Sequence, residues 1–66
     1  MLTPEEIKAL REYTGMTHVQ MAQLFRVRPA VVMAWETGEL VPDDEQMQKL
    51  EHLRASKAKK VTFKFN

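Results

Sequence analysis

Residue types that do chemistry are few in this chain, and their spacing suits neither catalysis nor metal binding. His18 and His52 stand 34 positions apart with no obvious third ligand. The chain has no cysteine, which excludes disulfides, thiolate metal sites and zinc fingers. No metal and no cofactor are expected. Asp43-Asp44-Glu45 reads as the acidic first turn of a helix, where carboxylates favour the helix dipole, and not as a catalytic pair. No nucleophile–base pair and no phosphate loop is visible. At 66 residues a packed cleft is hard to build, because a fold this small buries only about 60% of its unfolded surface. The chain is not expected to be an enzyme.

The charges are more informative once they are split. Residues 1–48 carry four basic and eight acidic side chains, a net of −4, and residues 49–66 carry six basic and one acidic, a net of +5. Lys57, Lys59, Lys60 and Lys64 lie in that second stretch. A basic tail of this kind meets phosphates or an acidic partner, or it serves as a solubilising terminus. No apolar run approaches the roughly 18 residues of a membrane span, and no signal-peptide core follows Met1. A cytoplasmic protein without membrane contact is expected.

The elements that must position these residues are helices. Thr3-Pro4-Glu5-Glu6 opens the first, with Thr3 as N-cap, Pro4 at the first helical position and Glu6 completing a capping box. Ile7 and Leu10 recur at helical spacing, and Gly15 ends the run. Thr17 and Gln20 form a second capping box before Met21, Ala22, Leu24 and Phe25. Pro29 starts a third helix that ends at Gly38, and the short link before it forces a steep crossing. Asp43 caps a fourth helix with Gln46, and Met47, Leu50 and Leu53 are its buried stripe. Val61-Thr62-Phe63-Lys64-Phe65 alternates with period two, the pattern of a short C-terminal β-strand. Nothing earlier in the chain reads as a strand to pair with it.

Residues 16–38, with Thr17, Ala22, Val27, Val32 and the ending Trp35-Glu36-Thr37-Gly38, resemble the helix-turn-helix of the phage repressor and Cro (XRE-type) family. Leu10-Arg11 resembles the pair on that family's first helix. The likeness extends over about residues 2–54. It implies an all-α fold, a four- to five-helix lambda-repressor-like bundle, here followed by the short strand. It implies a DNA-binding domain over residues 1–56, with residues 57–66 a basic tail that carries the strand. It also implies a partly buried salt bridge between Arg11 and Glu36. Small Ala22 lets two helices cross closely, while Val27, Val32 and Trp35 face inward. By the same likeness the DNA contacts fall to Thr17, His18, Arg28, Pro29, Ala30, Val31, Met33, Ala34 and Thr37, with the third helix in the major groove.

The chain departs from the family pattern at several of these positions. His18 replaces the usual phosphate-contacting glutamine, and an imidazole can donate the same bond. Arg26 replaces the turn glycine, and Glu39 stands in a loop that is often basic. Pro29, Ala30 and Ala34 cannot hydrogen-bond, so direct readout would rest on Arg28 and on Ala30, Val31 or Met33 against thymine methyls, with DNA shape supplying the rest. The resemblance implies a sequence-specific transcriptional regulator of phage or bacterial type, a repressor of its own gene that binds double-stranded DNA. Val61, Phe63 and Phe65 would pair the strand with its copy in a homodimer matched to a palindromic operator. Val19, Leu24, Val31 and Met33 fall where the family shows polar surface. They raise a second reading, a protein-interaction module on the same fold, such as an antitoxin neutralising a partner protein.

Overall fold

The computed structural model describes residues 1–58, with side chains through residue 56. Four helices follow one another: α1 (Pro4–Thr14), α2 (His18–Phe25), α3 (Pro29–Thr37) and α4 (Asp44–Ala58). Among the described residues there is no strand. The strand expected at Val61, Phe63 and Phe65 lies outside the described residues, as does any fifth helix.

Local sequence sets the helix boundaries. At α1 the Thr3 hydroxyl accepts from the Glu6 N–H at 3.2 Å, and the Glu6 carboxylate accepts from the Thr3 N–H at 2.9 Å. Thr17 and Gln20 repeat this reciprocal pair at α2, and Asp43 and Gln46 repeat it at α4. Each pair satisfies two N–H groups that a helix start would otherwise leave unbonded. Gly15 and Gly38 close α1 and α3 at φ 76° and 87°, a left-handed geometry that a Cβ disfavours. The same geometry closes α2 at Arg26, with φ 57° and ψ 44°. There it carries a Cβ, a strain of about 1–2 kcal/mol.

The core lies between the helices, with α3 packed against both α1 and α2, and α1 packed against α4. Ile7 and Leu10 of α1, Met21, Ala22 and Phe25 of α2, Val32 and Trp35 of α3, and Met47 and Leu50 of α4 are buried. Trp35 is 2% exposed, and its ring meets Phe25 edge-on at 5.4 Å between centroids and 78° between planes. Val27 and Leu53 are half-buried against this core. Two buried residues fall outside the periodic stripes: Leu2, whose N–H donates to the Met47 sulfur at 3.4 Å, and Pro42.

One expectation about the surface is corrected. Val31 does not stand outside with Val19, Leu24 and Met33; it is half-buried against the core. At 100° per residue it lies about 40° around the helix from the buried Trp35, at the border of the inner face. Ala34 is half-buried as well.

α4 is tied to its neighbours by polar contacts. The Lys49 ammonium donates to the Leu24 carbonyl at 2.9 Å and sits 5.3 Å from the Phe25 ring centre. The N-terminal ammonium pairs with Glu51 at 2.9 Å and Arg54 with Glu6 at 3.7 Å. The last two are solvent-exposed pairs and contribute little.

Candidate nucleic-acid interface

α2 and α3 are joined by Arg26-Val27-Arg28, and the turn is fixed from below. The Val27 N–H donates to the Ala22 carbonyl at 2.9 Å, and the half-buried Val27 side chain seats the turn on the core. Arg26 and Arg28 flank it, both exposed. Arg28 is the N-cap of α3 but gives no side-chain cap bond, and Pro29 at the first position has no N–H. The α3 N-terminus therefore has no side-chain cap, the Val31 N–H bonding the Arg28 carbonyl at 2.9 Å, and its positive dipole end adjoins two exposed arginines in sequence, a setting that favours anions.

Beyond this end the exposed residues of α3 form a stripe. Ala30, Met33 and Thr37 recur at helical spacing opposite buried Val32 and Trp35. Pro29 is exposed beside them, and Ala34 borders the stripe half-buried. Val31, on the inner side, gives most of its surface to the core. The Thr37 hydroxyl lies 3.2 Å from the Ala34 carbonyl and 3.3 Å from the Glu39 carboxylate, so it is engaged within its own loop. The Thr17 hydroxyl accepts from the Gln20 N–H, leaving its own O–H to be donated. The stripe offers methyl and thioether contacts more than hydrogen bonds.

Arg11, Glu36 and His18 sit where α1, α2 and α3 meet. The Arg11 guanidinium donates through Nε to Glu36 Oε2 at 2.7 Å and through Nη2 to Oε1 at 3.3 Å. Its Nη1 donates to the Met16 carbonyl at 3.1 Å, so one side chain holds the end of α1, the following turn and α3 together. The Glu36 and Arg11 side chains are 6% and 13% exposed. Burial pushes the Glu36 carboxyl up, but hydrogen bonds from Arg11 and His18 outweigh it and bring the group below the ordinary glutamate range. The same bond to Glu36 holds the Arg11 guanidinium above its ordinary value.

His18 is the residue whose surroundings were not legible in the sequence. Its Nε2 lies 3.2 Å from Glu36 Oε1. It is neither a lone surface side chain nor turned wholly outward, and it ties the first residue of α2 to the far end of α3. Substitution of histidine beside a known ion pair was the available hint, but the third partner depends on how α2 lies across α3.

Among the described residues no three His, Cys, Asp or Glu side chains converge as metal ligands. A groove of about 330 Å³ at the start of α1 is lined by Leu2, Pro4, Ile7, Trp35 and Leu40, with Thr3 its one hydroxyl side chain. Among the described residues no helix is long and apolar enough to cross a membrane. The chain matches no protein-family model, no curated protein and no solved structure.

Proposed function

We propose that this chain is a sequence-specific DNA-binding regulator with a lambda-repressor-like helix-turn-helix, acting as a dimeric autorepressor on a palindromic operator. The observation that carries the reading is the uncapped start of α3, flanked by Arg26 and Arg28 and continued by the outward stripe Ala30, Met33 and Thr37. Such an end suits phosphates, and such a stripe suits the major groove. Arg28 takes a guanine edge or a phosphate. Ala30 and Met33 meet thymine methyls, and the DNA's own deformability supplies further selectivity. Thr17 donates to the backbone. Val61, Phe63 and Phe65 of the basic tail join two copies, which sets two α3 helices about one DNA turn apart.

Selection from a library of random duplexes tests this directly. One sequence family should be enriched, and Arg28→Ala should bind it about 1–3 kcal/mol more weakly. A chain truncated after Ala58 should sediment as a monomer and lose most of that affinity. A folded protein that enriches no sequence would end the proposal. A protein-interaction module is the second reading, favoured by Val19, Leu24 and Met33, which are 52%, 44% and 50% exposed. It predicts that substituting Val19 and Leu24, which lie outside the α3 stripe, with serine leaves DNA binding intact and removes a partner.

A further inference from the structure

The bond between His18 and Glu36 constrains how this site can hold a phosphate, and the inference drawn from it rests on the DNA-binding reading above. Glu36 carries its charge, because two donors on the Arg11 guanidinium converge on its carboxylate. An ionised carboxylate can only accept. The hydrogen between His18 Nε2 and Glu36 Oε1 therefore belongs to the histidine. A neutral imidazole has a single N–H, so the other nitrogen, Nδ1, is left with a lone pair. Among the described residues Nδ1 has no hydrogen-bond partner, and the His18 side chain is 36% exposed.

A phosphate oxygen is also an acceptor only. Facing neutral His18, it would meet Nδ1 lone pair to lone pair. Protonation places a second N–H at Nδ1 while Nε2 keeps its bond to Glu36. We propose that His18 binds a DNA phosphate only as the imidazolium, so that DNA binding is linked to protonation of this ring. Glutamine in the same place would donate an amide N–H at any pH. The histidine makes the anchor conditional.

The charged groups around the ring are consistent with this. Glu36 of α3 faces it directly, and Arg11 of α1 lies across Glu36, with Glu12 acting on Arg11 in turn. α2 carries no charged side chain of its own. The α4 side chain seen on α2 is Lys49, at the other end of that helix, beside Leu24 and Phe25. Residues 1–48 have a net charge of −4, so an added positive charge at the DNA face offsets part of their repulsion of phosphates.

The test is fluorescence anisotropy with a short labelled duplex of random sequence at low salt, since a phosphate contact is independent of sequence. Wild-type affinity should fall by about tenfold between about pH 6 and about pH 8. His18→Gln should bind throughout with a flat profile, and His52→Gln should keep the wild-type slope. In the complex, the nitrogen chemical shifts of His18 should be those of an imidazolium. A wild type that binds with a flat profile, or a His18→Gln variant that keeps the slope, overturns the proton linkage and leaves DNA binding standing. If neither protein binds the duplex at any pH while both remain folded, the DNA-binding reading fails and this inference falls with it.

Discussion

Glu36→Ala should be among the most damaging single substitutions away from the apolar core. The change removes the acceptor of three hydrogen bonds and leaves a guanidinium 13% exposed with only the Met16 carbonyl to satisfy it. Breaking a buried ion pair from one side costs about 3–5 kcal/mol. The surviving bond to Met16 and the residual solvent contact of Arg11 bring the expectation to about 2–4 kcal/mol. Alanine and glutamate have similar helix propensity, so the backbone adds little. At about 0.05–0.15 kcal/mol per residue, a chain this size has roughly 3–10 kcal/mol in total, and the variant should sit close to unfolding. Replacing both partners, as in Arg11→Met with Glu36→Leu, removes the uncompensated charge and should recover most of the loss. Urea titration followed by circular dichroism measures wild type, Glu36→Ala, Arg11→Met, Glu36→Leu and the double variant, with equal slopes required for comparison. The reasoning is refuted if Glu36→Ala lies within about 0.5 kcal/mol of wild type, or if the double variant equals the sum of the singles.

Three further outcomes are expected. Trp35→Ala should cost about 3–5 kcal/mol; a variant that melts cooperatively near the wild-type temperature would show that the ring is not central to the core. Arg26→Gly should stabilise the fold by about 1 kcal/mol, because glycine relieves the positive φ, and a lower melting temperature would contradict the strain. Acid should unfold the wild type more steeply than Glu36→Ala. The lowered Glu36 group stabilises the fold above the ordinary glutamate range, and that contribution is lost as pH falls through its depressed folded value; parallel acid limbs for the two proteins would remove this account.

The four helices were legible because their boundaries are written locally. A capping box needs two residues three apart, and a left-handed terminus needs a glycine, so Thr3, Thr17, Asp43, Gly15 and Gly38 could be read without knowing what packs where. Burial of Leu2 and Pro42 was not legible. Both lie outside periodic stripes, and their environment is made by residues distant in sequence, Met47 of α4 beside Leu2 and the N-terminal residues with Trp35 around Pro42. Val31 was misplaced because helical spacing alone leaves a flanking position ambiguous between core and surface. The exposed face of α3 followed from buried Val32 and Trp35 on its other side, whereas the bond from His18 to Glu36 depends on the angle at which α2 crosses α3. The alternating pattern at Val61, Phe63 and Phe65 concerns residues beyond those described.

The two faces of α3 divide labour in a way that bears on how such a protein changes over generations. Val32 and Trp35 join α3 to both α1 and α2, so that face has almost no freedom to vary. Ala30 and Met33, on the other face, are exposed and hold nothing in place. Substitutions there alter what the helix touches while stability changes by about 0.5 kcal/mol or less, the usual effect of a surface exchange. On the DNA-binding reading proposed above, a lineage carrying this domain can therefore acquire a new target in single steps, none of which passes through an unfolded intermediate. The rigid inner face is what leaves the outer one free to be rewritten.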